Sequence, residues 1–113
     1  MKENIIRGIL VKPGEKPEEV RFNSGYKELQ RLVEGPFEMP AYFDDVDIVV
    51  NEEGKLNGSH PNKGIFYHGG LIDIIFGNIV VVASDEEGNT VSLSDEAFNK
   101  YMKVFEKNEI LLG

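Results

Sequence analysis

Residues 46–64 read VDIVVNEEGKLNGSHPNKG, and this stretch holds the strongest local signals in the chain. Val46–Val50 is the best strand candidate in the first half of the chain. Asn51–Gly54 follows as a tight turn, because its glycine can supply the positive φ that such turns use, and Lys55–Leu56 is expected to begin a return strand. Asn57–Lys63 has almost nothing to bury, so we predict a surface loop rich in hydrogen-bonding side chains.

Two strands and a helix are predicted before this stretch. Ile5–Val11 is rich in β-branched residues, and Glu19–Phe22 alternates polar with apolar residues, so the two are expected to pair as a hairpin. A helix is predicted over about 25–34, because its apolar residues recur at helical spacing along one face.

The second half of the chain predicts more strands and a second helix. Ile79–Ala83 and Thr90–Leu93 are expected to be a strand and its return, whereas Leu71–Phe76 fits either a strand or a helical turn. An N-cap signal and an apolar stripe predict a helix over about 95–107. Ile110–Leu112 is expected to form a small terminal strand or an exposed anchor that docks in a groove or on a second copy.

The element order β-β-α-β-β-loop-β-β-β-α indicates an α+β fold. The expected architecture is mainly an antiparallel sheet of hairpins with two packed helices. A length of 113 residues fits one domain, so residues 1–113 are predicted to be a single domain. The chain has no cysteine, which excludes disulfides, thiolate catalysis and thiolate metal sites.

Charge and hydropathy give expectations about the partners and the location of the chain. With 20 acidic and 12 scattered basic residues, the formal net charge is −8, so no direct contact with nucleic acid is expected. No apolar stretch approaches the roughly 18 residues of a membrane span, and the first residues lack a signal-peptide pattern. The chain is therefore expected to be cytoplasmic and not to associate with a membrane.

The residues that could perform chemistry form no persuasive pattern. Ser59 and His60 are neighbours, but adjacency in sequence does not give the geometry of a catalytic triad. His60, His68 and Asp73 have the right ligand types for a metal, although their spacing follows no known metal motif. No catalytic residue, metal or cofactor is therefore predicted, and a small hydrolase or metal enzyme remains a second alternative.

Five blocks along the chain resemble those of the family called domain of unknown function 3846, over about residues 6–105. These blocks read LQRLVEG at 29–35, VVNEEGKLNG at 49–58, PNK at 61–63, FGNIVVV at 76–82 and VSLSDE at 91–96. The family often has Asn-Arg where this chain has Asn62 and Lys63. Arg and Lys differ in bidentate recognition, so an anion contact there is expected to differ. The resemblance implies a bacterial or mobile-element accessory protein, as found in phages and plasmids, and it implies no activity.

The polar loop and the lack of a catalytic constellation favour a non-enzymatic binding module. It would bind an unknown protein or small ligand through the 57–63 loop and the adjoining strand edge. Side-chain amides there can donate and accept hydrogen bonds, and a lysine adds a cation for an anionic group. The predicted contact residues are Asn51, Asn57, His60, Asn62 and Lys63.

Two further expectations concern partners. The first alternative is an acidic inhibitor of a host nucleic-acid enzyme, which requires acidic residues clustered on one face of the molecule. The acids considered are Asp44, Asp45, Asp47, Glu52, Glu53, Asp85, Glu86 and Glu87. The apolar terminal segment also makes a homodimer a reasonable expectation.

Overall fold

The computed structural model describes residues 4–113 and has an α+β architecture, as predicted. Two helices and two sheets make up the described part of the chain. The main sheet contains β1 (Ile5–Val11), β2 (Glu18–Asn23), β3 (Phe37–Glu38), β4 (Asp47–Asn51), β7 (Ile79–Ser84) and β8 (Thr90–Val91). The small sheet contains β5 (Pro61–Tyr67), β6 (Gly70–Phe76) and β9 (Glu109–Leu112), and the helices are α1 (Tyr26–Val33) and α2 (Asp95–Val104).

The main sheet is antiparallel and is built around β7. Its strand order is β2-β1-β7-β4-β3, and β8 pairs with the end of β7. The register places Val81 of β7 between Ile9 of β1 and Ile48 of β4. All three side chains are at most 1% exposed, so the middle of the sheet is fully buried.

Each face of the main sheet has its own apolar core. On one face, α1 covers the sheet with three buried residues, Leu29, Leu32 and Val33, at the helical spacing that the sequence shows. On the other face, α2 and the inner side of the small sheet cover it together. This second core includes Ile48, Val50, Ile65, Ile75, Ile79, Val81, Tyr101, Phe105 and Ile110.

The small sheet has the order β6-β5-β9, with β5 in the centre. A two-residue turn joins β5 to β6, and both of its residues, His68 and Gly69, have positive φ (49° and 81°). This is the turn geometry that suits the twist of a hairpin. β9 pairs with β5 in parallel, so the terminal segment is a strand, as one of the two predictions had it.

Four sequence expectations need correction. The predicted single sheet is two sheets, and the predicted surface loop ends before Pro61, where β5 begins. No return strand forms at residues 55 and 56, because the amides of Leu56 and Asn57 both donate to the carbonyl of Glu53 at 2.9 Å and coil the chain. Both predicted helices are present, at 26–33 and 95–104, and the second ends about three residues earlier than expected.

The turn at Asn51–Gly54 exists, but its glycine is needed for a different reason. The amide of Gly54 donates to the carbonyl of Asn51 at 3.2 Å, and Gly54 does not have a positive φ. A Cβ at this position would lie 2.7 Å from the carbonyl oxygen of Phe76. Glycine therefore lets the turn approach the end of β6.

Membrane crossing has no support among the described helices. Within residues 4–113, neither α1 nor α2 is long and apolar enough to span a bilayer.

Substituting Gly54→Ala is expected to lower the free energy of unfolding by about 2 kcal/mol, because the added methyl group collides with backbone. Gly70→Ala is the matched control, since the nearest atom to its Cβ is the Tyr67 carbonyl oxygen at 3.7 Å. Chemical denaturation of both variants measures the difference. Equal stability of the two variants would show that the close approach at Gly54 does not constrain the fold.

Candidate functional site

The five predicted contact residues divide into two groups. Asn57 and His60 are exposed, whereas Asn51, Asn62 and Lys63 are 6%, 7% and 4% exposed. The expectation that all of 57–63 forms a surface loop is wrong from Pro61 onward, where β5 begins, although Pro61 itself is exposed. Asn62 and Lys63 belong to the central strand of the small sheet.

Asn51 makes a hydrogen bond that holds the C-terminal end of α1. Its Nδ2 donates to the carbonyl of Val33 at 3.0 Å, and its Oδ1 accepts from the amide of Glu53 at 2.7 Å. Asn78, which directly precedes β7, donates to the carbonyl of Leu32 at 3.0 Å. The last carbonyls of a helix have no partner within it, so these two asparagines satisfy groups that would otherwise be orphaned.

Asn62 joins the small sheet to the main sheet. Its Nδ2 donates to the carbonyl of Val11 at 2.9 Å and to the carbonyl of Gly77 at 2.8 Å. Its buried Oδ1 has no hydrogen-bond partner among residues 4–113. The amide nitrogen of Asn62 therefore makes two hydrogen bonds, and its amide oxygen makes none with the described residues.

Lys63 follows directly and is largely buried, although its ammonium keeps some contact with solvent. No carboxylate of the described residues forms an ion pair with it, and no hydrogen bond satisfies its ammonium there. Burial lowers the pKa of Lys63, because removal from water disfavours the charged form.

The remaining part of the loop is accessible to a partner. The Oδ1 of Asn57 accepts from the amide and the hydroxyl of Ser59, at 3.1 and 2.6 Å, so this turn is held by its own side chain. The backbone carbonyl of His60 accepts from the amide of Gly77 at 2.8 Å, while its side chain is exposed.

His60, His68 and Asp73 do not come together. His60 precedes β5 and His68 follows it, so at the usual strand rise they are roughly 25 Å apart. Asp73 lies opposite Ile65 in the β5–β6 register. In the described part of the chain, no group of three or more His, Asp or Glu side chains is placed to hold a metal ion.

Asp73 instead anchors a polar cluster that the sequence did not indicate. Its carboxylate accepts from the hydroxyl of Tyr42 at 2.5 Å, the ammonium of Lys55 at 2.7 Å and the amide of Ile74 at 2.8 Å. Burial opposes ionisation, but the hydrogen bonds from Lys55 and Tyr42 outweigh it and hold the pKa of Asp73 below its usual range. Burial and the Asp73 carboxylate raise the pKa of Tyr42 to about 12.

This cluster borders a cleft of about 260 Å³, and it also lies at the exposed edge of β6. Asn51, Lys55 and Asp73 contribute to the lining of the cleft. Because the Asp73 carboxylate occupies the amide of Ile74, that amide is less available to a strand from another chain. Charged side chains on edge strands commonly serve to prevent such pairing.

Exposed apolar side chains concentrate on the small sheet. The register aligns Phe66 with Leu71 on one side and Leu111 on the other, and aligns Gly64 with Ile74. We call the side formed by Phe66, Leu71, Ile74 and Leu111 the apolar face. Of nine large apolar residues exposed in the described chain, five belong to this sheet: Tyr67 51%, Leu71 53%, Ile72 54%, Ile74 37% and Leu111 75%.

The acidic residues divide between the two ends of the main sheet. Asp47 at the start of β4 lies opposite Val82 near the end of β7, so residues 44–47 and 85–87 lie at one end. Glu52 and Glu53 follow the other end of β4. Six of the eight acids considered are therefore at a common end, where Lys100 pairs with Asp45 at 3.1 Å.

Alanine substitutions should separate structural from accessible asparagines. Asn51→Ala and Asn62→Ala each leave buried carbonyl groups without donors, so each is expected to lower the free energy of unfolding by about 1–3 kcal/mol. Asn57→Ala and His60→Ala are expected to stay within about 0.5 kcal/mol, as surface changes do. Denaturation curves measure all four, and a neutral Asn62→Ala would contradict its joining role.

Tyr42→Phe tests the Asp73 cluster. At pH 7 the variant is expected to be less stable by about 1 kcal/mol, because it loses one hydrogen bond. The folded-state pKa of Tyr42 is raised to about 12, so its contribution is fully present below the unfolded value near pH 10. The stability difference should shrink as pH rises from 10 toward 12. A difference that stays constant across this range would refute the coupling.

A family profile described as domain of unknown function (DUF3846) matches residues 6–106 of the 113. No curated protein and no solved structure matches the chain. The matched region runs from β1 to just beyond α2. It includes the core under α1, the second core except for Ile110, the Asp73 cluster and two of the three strands of the small sheet. The chain therefore belongs to the family of domain of unknown function 3846.

Proposed function

We propose that the chain is a non-enzymatic binding module that contacts a protein partner through the apolar face of the small sheet. The observation that carries this proposal is the concentration of exposed apolar side chains on one three-stranded sheet. Contiguous apolar patches of this kind are uncommon on isolated proteins and typically mark interaction sites. The exposed side chains of Asn57 and His60, on the segment that leads into β5, extend the contact surface with polar groups.

The partner is expected to contact side chains rather than add a strand. Strand addition uses free backbone groups along a sheet edge. On β6 the amide of Ile74 is occupied by the carboxylate of Asp73, and that carboxylate is itself held by Lys55 and Tyr42. The β6 edge is therefore protected at Ile74, while the adjacent apolar side chains remain uncovered.

Lysines flank the apolar face on both sides. Lys55 lies beside Leu71 and Ile72, and Lys103 and Lys107 lie beside Leu111. Lys55 is neutralised by its ion pair with Asp73, so the available basic groups are Lys103 and Lys107. They favour a partner whose contact surface has an apolar centre and an acidic margin on the Leu111 side. This complementarity would orient the partner more than it would tighten binding.

The proposed setting follows from the family resemblance. We place the module in the cytoplasm of a bacterium or of a host that carries a mobile element, where it would act as an accessory protein. A second copy of the chain is one partner that this surface could accept.

A second candidate is an acidic inhibitor of a nucleic-acid enzyme. The grouping of six acids at one end of the main sheet favours it, because a nucleic-acid enzyme presents a basic groove. Glu52 and Glu53 at the far end lie outside this group. The acids therefore offer a smaller surface than the single face that this candidate required.

Threonine substitutions on the apolar face test the main proposal, because they remove apolar area and keep strand propensity. The triple variant Leu71→Thr, Ile74→Thr and Leu111→Thr is compared with a control that changes exposed apolar residues elsewhere. That control carries Ile5→Thr, Tyr26→Thr and Met39→Thr, residues that are 50%, 63% and 41% exposed. Both are used as immobilised baits in bacterial extract, and circular dichroism verifies their folding.

We expect a partner that the unchanged chain and the control retain and that the triple variant binds at least tenfold more weakly. A concentration-dependent dimer that only the triple variant dissociates, seen by analytical ultracentrifugation, would identify the partner as a second copy. Equal binding by both variants would overturn the proposal. If both variants retained a nucleic-acid enzyme that high salt released, the acidic-inhibitor candidate would replace the proposal of apolar-face binding.

A further inference from the structure

Gly64 leaves a hole in the apolar face of the small sheet. The register sets Gly64 between Ile74 of β6 and Glu109 of β9, so these three residues form one row across the sheet. A cavity of about 230 Å³ lies over this row, and Phe66 and Leu71 also contribute to its lining. Its volume is below the roughly 300–1,000 Å³ of pockets for drug-sized ligands, so the cavity suits one side chain.

The cavity opens on the outer side of the small sheet. A Cβ at Gly64 would lie 3.2 Å from Cε1 of Phe66 and 3.4 Å from Cδ1 of Leu71, so the space over Gly64 is on their side of the sheet. Ile65 and Ile110 follow Gly64 and Glu109 in their strands, are at most 2% exposed and point to the second core. A side chain that fills the cavity therefore arrives from outside the small sheet.

Leu111 projects from the same face, beside the cavity. It is 75% exposed and lies in the next row across the sheet, together with Phe66 and Leu71. In a two-fold interface the same patch serves both copies, so that patch must contain both a projection and the cavity that receives it. A two-fold axis midway between Gly64 and Leu111 would seat the Leu111 of each copy in the cavity of the other.

The charges on this face have the arrangement that a second copy requires. Lys107 lies beside Leu111, and Glu109 contributes to the lining of the cavity. Among residues 4–113, neither Lys107 nor Glu109 forms an ion pair. When Leu111 of one copy enters the cavity of the other, Lys107 of the first approaches Glu109 of the second, and the symmetry repeats this contact. The cavity thus offers the apolar centre and the acidic margin that the Leu111 side favours.

We propose that two copies of the chain pack their small sheets face to face, each inserting Leu111 into the cavity over Gly64 of the other. The second copy supplies the layer that the outer side of the small sheet lacks, at the spacing of about 10 Å found between packed sheets. Side chains make this contact, and no strand is added at the β6 edge. The inference names the partner of the apolar face, so it deepens the proposed binding role and rests on it.

The size of the face predicts a reversible dimer. Three strands about 4.8 Å apart form a face roughly 15 Å wide. The interface is therefore smaller than the roughly 1,600 Å² of standard complexes, and we expect a dissociation constant on the order of 10–100 μM. The net charge of −8 opposes association of two copies, so the measurement is made at about 0.15 M salt, where charges more than about 8 Å apart are largely screened.

Sedimentation velocity at chain concentrations from about 5 μM to about 1 mM should show the monomer converting to a dimer. A chain that stays monomeric over this range would overturn the inference.

Two substitutions test the projection and the cavity. Leu111→Ala shortens the projection on both copies, and Gly64→Ala fills part of both cavities, so each should weaken the dimer at least tenfold. Leu56→Ala is the matched control, since Leu56 is 88% exposed and lies outside the small sheet, and it should leave the dimer unchanged. Circular dichroism verifies the folding of all three variants. A dimer that either Leu111→Ala or Gly64→Ala leaves unchanged would have its contact elsewhere and would overturn the inference.

Charge reversal tests the contact of Lys107 with Glu109 between copies. Lys107→Glu and Glu109→Lys each place like charges together twice in a dimer, so each variant alone should dimerise at least tenfold more weakly. An equimolar mixture restores opposite charges at both contacts and should form a mixed dimer of near-normal affinity. Mixing would not reverse a merely structural effect of either substitution. A mixture as weak as its components would overturn the two-fold arrangement.

These outcomes are distinguishable from those of the broader proposal. A monomeric chain whose apolar face still retains a different protein, as the threonine variants report, would overturn the dimer and leave the proposed binding role standing. A dimer that depends on Leu111 and Gly64 and is rescued by mixing would identify a second copy as the partner. A monomeric chain whose apolar face retains no protein would overturn both.

Discussion

The central strand β7 has to be covered on both faces, because it has no polar side. Val80 and Val81 are neighbours that point to opposite faces, and both are 0% exposed. A strand of this kind is normally found in a sheet between two layers. Here the sheet is antiparallel, and α1 supplies one layer, while α2 and the small sheet together supply the other.

Asparagine side chains hold these layers in place. Asn51 and Asn78 bind the last carbonyls of α1, and Asn62 binds carbonyls at the end of β1 and before β7. An amide suits this work because it is uncharged and its hydrogen bonds offset the cost of burying it. Asn51 and Asn62, which the sequence predicts as ligand contacts, therefore serve to hold α1 and to join the two sheets, respectively.

The sequence predicts the elements better than their arrangement. Periodicity locates β1, β4, β7 and both helices, and the cap at Ser94 is real, since its Oγ accepts from the amide of Ala97 at 3.1 Å. These signals are local. The division into two sheets depends on the parallel pairing of Ile65 with Ile110, residues 45 positions apart, which no local pattern encodes.

The candidate site also depends on contacts between residues that are far apart in the sequence. The exposure of Asn57 and His60 follows from composition, but the burial of Asn62 and Lys63 reverses what their polarity suggests. Asn62 is buried because its partners, Val11 and Gly77, come from 51 and 15 residues away. The Asp73 cluster is equally non-local, since Tyr42 and Lys55 reach Asp73 from 31 and 18 residues away. From the sequence, Asp73 is a candidate only as a metal ligand with His60 and His68.

The two sheets differ in a way that bears on function. The main sheet is covered on both faces by the chain itself, whereas only the inner side of the small sheet is covered, through Ile65, Ile75 and Ile110. A three-stranded sheet with one apolar face packed is near the lower limit of independent stability. A partner that covers the apolar face would complete its second layer and stabilise the folded state by mass action.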